Sequence, residues 1–157
     1  MRLTSFTDYS LRTLIHVAVH PEGKITIADV AAAFDISQSH LTKVVHFLGK
    51  AGMLVNTRGR GGGLQLAMPA AAINIAAVVH LTEGCDLPAE CFDRARNACV
   101  ITPCCELRGV LAEGLQAFYA VLEKYSLADL VKNRRELQKL LAPAARDRVE
   151  LRNAGWP

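Results

Sequence analysis

Apolar residues recur every three or four positions along the first fifty residues and predict three short helices. The first helix is predicted to begin near Ser5, which would cap it, with Asp8 three residues further on as the capping partner. Thr26 and Asp29 are predicted to cap the second helix in the same way, and Ser37 is predicted to cap the third. Two short helices, a tight turn and a third helix are typical of a helix-turn-helix.

The outward face of the third helix carries polar and basic side chains and no acid. Four of these side chains form one line opposite the apolar stripe: Ser39, Lys43, His46 and Lys50. Such a face suits a DNA groove walled by phosphates, although a solvated helix face has the same pattern. The residues predicted to contact DNA from this helix are Ser37, Gln38, Ser39, His40, Thr42, Lys43 and His46.

Two short strands are predicted after the third helix, at residues 53–57 and 64–68, because apolar residues alternate there. The connection between them holds four glycines, which allow a close backbone approach, and two arginines, which give it a positive tip. A phosphate-binding loop would instead join a strand to a helix. The pattern therefore favours a winged helix-turn-helix whose Arg58 and Arg60 also contact DNA.

The second half of the chain predicts a helix capped by Asn74, an irregular loop that begins at Cys85, and then a long helix. Thr102 is predicted to cap the long helix, with Pro103 at its first position. Its apolar residues form a coiled-coil-type seam and a second stripe, which predicts one side on its own domain and one on a second copy. A helix packed wholly inside a monomer is the alternative. The seam is Leu107, Leu111, Gly114, Phe118, Val121 and Tyr125, and the stripe is Val110, Leu115 and Leu122.

The predicted fold class is mainly α with a small β-wing, a winged helix-turn-helix plus a long dimerisation helix. Residues 1–70 are assigned to the DNA-binding domain, and residues 71–141 to the cysteine loop (85–105) and the dimerisation helices. The last of these helices is predicted from Ser126, with Asp129 as its capping partner, to about Leu141. Residues 142–157 are predicted to be a disordered tail.

Charge follows the same division of the chain. Residues 1–70 carry seven Lys and Arg against four Asp and Glu, the middle up to residue 131 carries four against eight, and the remainder carries seven against three. Basic ends around an acidic middle fit a protein that meets phosphate with one part of its surface. Charged residues interrupt the only apolar stretch near the start, so no signal peptide is expected. No apolar stretch approaches the length of a membrane span, so none is expected either.

Five cysteines, three of them clustered, are the candidate chemistry of the chain. An odd, clustered set argues against a disulfide framework and favours a cytoplasmic protein that binds metal or does redox work. Seven residues separate Cys91 from Cys99, and five separate Cys99 from Cys105. Structural zinc sites use more closely paired cysteines, so this spacing favours an iron–sulfur cluster. The fourth ligand stays open among Cys85, Cys104, Asp8, Glu83, Asp86, Glu90 and Asp93, and a set of free thiols is the alternative.

Several motifs are similar to those of one family. They are Leu3-Thr4-Ser5-Phe6-Thr7-Asp8-Tyr9 with Leu11-Arg12, Lys50-Ala51-Gly52, Arg58-Gly59, Gly62-Gly63, Ile101-Thr102-Pro103, Cys105, Leu107 and Tyr125-Ser126-Leu127-Ala128-Asp129-Leu130-Val131. Through them the chain resembles the winged-helix iron–sulfur transcriptional regulators, and among these the nitric-oxide-sensing repressors. The resemblance covers most of residues 1–131.

The resemblance implies a homodimer with one cluster, [4Fe-4S], in each subunit. It implies Cys91, Cys99 and Cys105 as ligands, Asp8 of the other subunit as the fourth ligand, and Arg12 nearby. Another branch of the family has a ligating histidine three residues after the last cysteine, where this chain has Arg108. The implied function is a repressor that binds palindromic double-stranded operator DNA and is released when nitric oxide reacts with the cluster.

Two other functions are compatible with the same residues. One is the same DNA-binding module controlled by zinc or by a thiol–disulfide switch at the same cysteines. The other is a small redox enzyme that uses the cluster or the adjacent Cys104 and Cys105. The enzyme is disfavoured because the sequence has no cofactor fingerprint and no acid–base constellation, and because a wing is typical of DNA binding.

Overall fold

A computed structural model of the chain describes residues 3–22, 25–57, 59, 62–84, 89–93 and 95–142. Within these ranges the protein has seven α-helices and one two-stranded antiparallel sheet, which confirms the mainly α class with a small β-wing. The elements are α1 (Ser5–Val19), α2 (Ile27–Phe34), α3 (Gln38–Lys50), β1 (Leu54–Thr57), β2 (Gly63–Leu66), α4 (Ile75–Glu83), α5 (Glu106–Leu122), α6 (Leu127–Leu130) and α7 (Arg134–Leu141).

Local side-chain caps begin α2, α3 and α4, as the sequence predicted. Thr26 Oγ1 accepts a hydrogen bond from the Asp29 N–H at 3.2 Å, and the Asp29 carboxylate accepts one from the Thr26 N–H at 2.8 Å. Hydrogen bonds from the Thr26 hydroxyl and N–H lower the pKa of Asp29. Ser37 and Asn74 cap α3 and α4 through their side-chain oxygens. These starts depend on neighbouring residues alone, so the pattern was sufficient to find them.

The cap of α1 is Thr4, and the prediction of a Ser5 cap with Asp8 as partner is wrong. Thr4 has extended backbone angles, and its hydroxyl accepts a hydrogen bond from the Thr7 N–H at 3.2 Å. Glu83, at the far end of α4, accepts hydrogen bonds from the N–H and the hydroxyl of Thr4. This distant carboxylate holds Thr4 outside the helix, so Ser5 becomes the first helical residue.

The wing is a short hairpin in which Leu54 pairs with Leu66 and Thr57 pairs with Gly63. Both strands are shorter than predicted, although an Ala67 N–H bond to the Met53 carbonyl continues the pairing by one step. Leu64 is buried in the core, and its N–H also bonds to the carbonyl of Ile25 at 2.7 Å. This bond ties the segment before α2 to the base of the wing.

One apolar core holds the helices and the wing together. It is built chiefly from α1, α3 and α4, with contributions from the wing and from α6. Leu127 of α6 is fully buried in it, and its N–H bonds to the carbonyl of Ile73 at 2.8 Å. The largest fully buried side chains are Leu14, Leu41, Leu48, Leu64, Ile73 and Leu127.

The long helix begins at Glu106, so the predicted start at Thr102 and Pro103 is wrong. Thr102 lies in a separate 3₁₀ turn, Thr102–Cys104, and Cys105 then adopts an extended conformation. The Thr102 hydroxyl lies within hydrogen-bonding distance of the Asn97 side chain and of the Cys99 carbonyl, at 2.8 Å from the latter. Because this hydroxyl bonds to residues that precede it, it does not cap the helix that follows.

The predicted last helix is two helices. Ser126 and Asp129 form the expected capping box, but α6 ends after one turn at Leu130. The chain then turns and α7 begins at Arg134, whose guanidinium Nε donates to the carbonyl of Val19 at the end of α1, at 2.8 Å. Docking of α6 beside Ile73 and of α7 on α1 requires two directions, which one straight helix cannot satisfy.

The outer face of α5 is largely exposed. Phe118, Tyr119 and Leu122 pack against the core of their own protomer. By contrast Leu107 is 61% exposed and Val110 is 63% exposed. A side that faces a second copy therefore stays a prediction for this helix. In the described part of the chain, no helix is both long and apolar enough to cross a membrane. The predicted tail lies outside the described residues except for Ala142.

Candidate nucleic-acid interface and metal centre

The side chains predicted to contact DNA from α3 lie on its exposed face. The side chains of Ser37, Gln38, Ser39, His40, Thr42, Lys43 and His46 are all exposed. Some of them also organise the start of the helix. Ser37 Oγ lies 3.0 Å from His40 Nδ1, and the Thr42 hydroxyl donates to the Gln38 carbonyl at 2.8 Å. Lys43 and His46 lie further along α3 and are also exposed.

A cleft of about 430 Å³ separates this face from the wing. Thr42, His46 and Lys50 line it from successive turns of α3, and Asn56 lines it from β1. These four side chains offer hydrogen-bond donors and positive charge without a carboxylate, which suits contact with a phosphate backbone. The sequence analysis missed Asn56. The signal was its place in β1, since a polar residue on a short wing strand beside α3 can reach the same surface.

Arg58 and Arg60, predicted for the wing tip, lie outside the described residues. The strands that lead to them are described, and Thr57 and Gly63 form the last pair before the turn. Gly59 has a φ of 102°, a left-handed conformation that favours glycine. The contribution of the two arginines to DNA binding stays a prediction.

The candidate metal ligands lie on the segment between α4 and α5. Cys91 is in a 3₁₀ turn, Glu90–Phe92, Cys99 is in an irregular stretch, and Cys105 directly precedes α5. All three side chains are half-buried free thiols, whereas Cys104 is exposed. Cys85 lies outside the described residues.

Asn97 and Thr102 hold the backbone around Cys99, and the sequence analysis missed this role of both. The Asn97 side-chain oxygen accepts a hydrogen bond from the Cys99 N–H at 3.1 Å. The Cys99 carbonyl accepts bonds from the N–H and the hydroxyl of Thr102. A turn closed in this way presents Cys99 on a defined backbone although the segment is neither helix nor strand.

Cys105 and the neighbouring Cys104 line a cavity of about 370 Å³ at the start of α5. Phe92 and Arg108 also line it, and the Arg108 guanidinium lies 5.7 Å from the centre of the Phe92 ring. Arg108 is the residue three positions after Cys105, where the resemblance described above would place a histidine ligand in another branch. Here it stacks on an aromatic ring and brings a positive charge beside Cys105.

The structure does not bring the three proposed cysteine ligands into one metal-binding group. Among the described residues, no three His, Cys, Asp or Glu side chains are placed to hold a metal ion together. The donor set nevertheless fits an iron–sulfur cluster in its chemistry, because it offers soft thiols that are half-buried on a non-helical segment.

Asp8 and Arg12 form an ion pair on the surface of α1. Two contacts of 2.9 Å join the carboxylate to the guanidinium, and both side chains are close to two-fifths exposed. The Arg12 guanidinium also lies 5.7 Å from the centre of the Phe34 ring. Asp8 is therefore accessible to another molecule, while Arg12 holds its orientation.

Two of the other acids considered as ligands have partners within the fold. Glu83 accepts hydrogen bonds from Thr4, as described above. Burial alone would raise the pKa of Glu83, but the nearby Thr7 hydroxyl and the hydrogen bonds from Thr4 outweigh it and keep the pKa below its usual value. Asp93 accepts a hydrogen bond from the Ala95 N–H at 2.9 Å. Glu90 is exposed, and Asp86 lies outside the described residues.

Comparison with known proteins identifies the family of the chain. A sequence model of the Rrf2 family, described as "Iron-dependent Transcriptional regulator", matches residues 3–133. The chain is 48% identical over 142 residues to the "HTH-type transcriptional regulator NsrR" of Halalkalibacterium halodurans, which covers 90% of this chain and 97% of that protein. It is 49% identical, with the same coverage, to the protein of that name from Bacillus subtilis.

A solved structure shows the same fold. The structure "T. potens IscR" superposes with a TM-score of 0.68 at 23% identity, over 88% of this chain and 91% of that one. At this identity the likeness concerns the fold alone. The sequence matches extend through the winged part, the cysteine segment and α5. The chain is therefore a transcriptional regulator of the Rrf2 family.

Proposed function

We propose that this regulator is a cytoplasmic, homodimeric repressor that binds a palindromic operator only while it carries an iron–sulfur cluster. Reaction of nitric oxide with the cluster would release the repressor from the DNA. The observation that carries the proposal is the position of Cys91, Cys99 and Cys105, three half-buried thiols on one segment between α4 and α5. The description of the Rrf2 family as iron-dependent supports a metal at this place. The nitric oxide signal rests on the resemblance through Ile101-Thr102-Pro103 and Tyr125–Val131.

The residues that would hold the cluster are Cys91, Cys99 and Cys105 of one subunit and Asp8 of the other. A [4Fe-4S] cluster, one in each subunit, would supply iron that reacts directly with nitric oxide. A carboxylate is a harder ligand than a thiolate, so Asp8 would bind such a centre less firmly than the cysteines. Arg12 holds the Asp8 carboxylate at 2.9 Å and thereby sets its orientation.

The DNA side of the proposal uses α3 and the wing. Lys43 and His46 would read base edges in the major groove, while Arg58 and Arg60 would contact phosphates or the minor groove. A cluster held by Asp8 of one subunit and the three cysteines of the other would connect the two subunits and fix the spacing of their α3 helices. Loss of that connection would let the helices leave the spacing of an operator, a shift between two populations.

Anaerobic purification tests the cofactor directly. The expected product is a brown protein with iron and sulfide in equal amounts, and about four of each per subunit identify [4Fe-4S]. Separate Cys91→Ser, Cys99→Ser and Cys105→Ser variants should lose the colour, while Cys104→Ser is the matched control and should keep it. A colourless protein that contains zinc, or none of these metals, would contradict the proposal and favour a zinc or thiol–disulfide switch.

DNA binding is measured with the same preparations. An operator duplex is first selected from a random library by the loaded wild-type protein. The loaded protein should bind this duplex tightly, and nitric oxide should release it without unfolding the protein. Equal affinity before and after nitric oxide treatment would refute the proposed signal.

A further inference from the structure

The carboxylate of Glu83 lies where three helices meet. Glu83 is the last residue of α4, and one of its oxygens accepts hydrogen bonds from the Thr4 N–H at 2.9 Å and from the Thr4 hydroxyl at 3.1 Å. Burial raises the pKa of the Tyr119 phenol in α5, and the negative charge of Glu83 raises it further. The Glu83 carboxylate therefore binds the start of α1 directly, and its charge also acts on Tyr119 in α5.

The contact with α1 involves a second pair of side chains. The Thr7 hydroxyl donates to the Thr82 hydroxyl at 2.8 Å, and Thr7 is fully buried. The Thr4 hydroxyl caps α1 by accepting from the Thr7 N–H. We call these four residues, Thr4, Thr7, Thr82 and Glu83, the Glu83 clasp. A negative charge at this place also interacts favourably with the positive end of the α1 dipole.

The clasp lies between the cysteine segment and the DNA-binding helices. Gly84 ends α4, and Cys91 follows Glu83 by eight residues. On the other side, Phe6 of α1 packs edge-to-face on Phe47 of α3 with ring centres 5.2 Å apart. A displacement of the last turn of α4 would therefore act first on the start of α1 and then on α3.

His80, one turn before Glu83, connects α4 to α5. The His80 ring stacks on the Tyr119 ring with centres 3.7 Å apart and planes 6° from parallel. The cysteine segment thus begins at a helix end that contacts both α1 and α5, and it finishes at Cys105, where α5 starts. A rearrangement of the cysteine segment would therefore displace both α1 and α5.

We propose that Glu83 is the positioning residue through which the cysteine segment sets α1, and with it α3, within a single protomer. This inference rests on the proposed function, because it describes how cluster status reaches the DNA-binding helices. It is separate from the connection between subunits that Asp8 would make through the cluster.

Coupling free energies between two sites usually correspond to a 5- to 150-fold change in affinity, so loss of the coupling through Glu83 has a measurable effect.

The test compares the operator affinity of cluster-free and cluster-loaded full-length protein, expressed as a ratio of Kd values. Glu83→Met keeps a long side chain and a good helix former but removes the acceptor oxygens. Its ratio is expected to fall about tenfold below that of the wild type. Glu83→Gln keeps one acceptor oxygen and is expected to preserve most of the ratio. Glu123→Met, which removes an exposed carboxylate just after α5, is the matched control and should leave the ratio unchanged.

A residue that only stabilises the fold would change the melting temperature and both Kd values alike, but not their ratio. A Glu83→Met ratio equal to that of the wild type, or an equal change in Glu123→Met, would overturn the inference. A wild-type ratio of one would instead refute the proposed cluster dependence, and the coupling with it.

Hydrogen exchange of the wild-type protein decides the matter if Glu83→Met does not fold. The Thr7 and Asp8 amides bond to the hydroxyl and the carbonyl of Thr4. They are expected to exchange faster in the cluster-free protein than in the loaded protein. Identical exchange rates in the two forms would overturn the inference.

Discussion

Acidification should destabilise the protein through His16. The His16 side chain is buried in α1, and its residue is only 3% exposed. Among the described residues, its Nδ1 has no hydrogen-bond partner. Burial lowers the pKa of His16 from 6.5 to about 4, and the neighbouring His20 lowers it further while Asp29 opposes the shift. In the unfolded chain the ring regains its ordinary pKa, so unfolding binds a proton between these two values.

The direction and size of the effect follow from this difference. The contribution of the neutral His16 ring to the free energy of unfolding is fully present above the unfolded pKa of 6.5. This contribution is lost as the pH falls towards 4. Each unit of pKa difference corresponds to about 1.4 kcal/mol, so the free energy of unfolding should fall by about 2 kcal/mol between pH 7.5 and pH 5. Nearly all of the remaining loss occurs before pH 3.5, because below the folded pKa both states carry the proton.

Urea unfolding at several pH values, followed by circular dichroism, measures the effect. His16→Gln removes the titrating ring, so its unfolding free energy should depend less steeply on pH than that of the wild type, whatever its absolute stability. His46→Gln, at an exposed position on α3, is the matched control and should keep the wild-type slope. Parallel pH profiles for His16→Gln and the wild type would refute the assignment of the slope to His16.

Three further predictions concern the DNA-binding part of the molecule. Replacing Arg58 and Arg60 together by Ala should weaken binding to all duplex sequences and reduce the slope of log affinity against log salt concentration by about one to two units. An unchanged slope in a salt titration would show that the wing does not contact DNA. Asp8→Asn should lower the free energy of unfolding by less than about 0.5 kcal/mol, because it weakens an exposed ion pair, yet it should alter the visible spectrum and the nitric oxide response. A wild-type spectrum and response would show that Asp8 is no ligand. Thr26→Ala should lower the free energy of unfolding by about 1 kcal/mol because α2 loses its cap, and a loss too small to detect by urea titration would contradict that role.

Caps made by neighbouring residues could be predicted from the sequence. Thr26 with Asp29, and Ser126 with Asp129, lie three residues apart and complete their hydrogen bonds inside one turn. The α1 cap could not be found in this way because Thr4 is fixed by Glu83, which lies 79 positions away. A cap predicted from adjacent residues fails where a distant carboxylate fixes the preceding residue as the cap instead.

The cysteine segment shows the same limit. The spacing of Cys91, Cys99 and Cys105 was sufficient to nominate ligands, since it requires only counting. The start of α5 was misplaced because the Thr102 hydroxyl bonds backwards to the Cys99 carbonyl, an interaction that composition does not encode. The break between α6 and α7 also depended on a tertiary contact, the bond from Arg134 to the Val19 carbonyl.

The contacts at the two ends of α1 have a consequence for folding during translation. The helix is synthesised before Glu83, which holds its beginning, and before Arg134 and Gln138, which bind its last carbonyl. Domains usually fold in the order in which they emerge. The contacts at both ends of α1 can therefore form only after the residues up to Gln138 have been synthesised, so the growing chain cannot complete its DNA-binding geometry before that point.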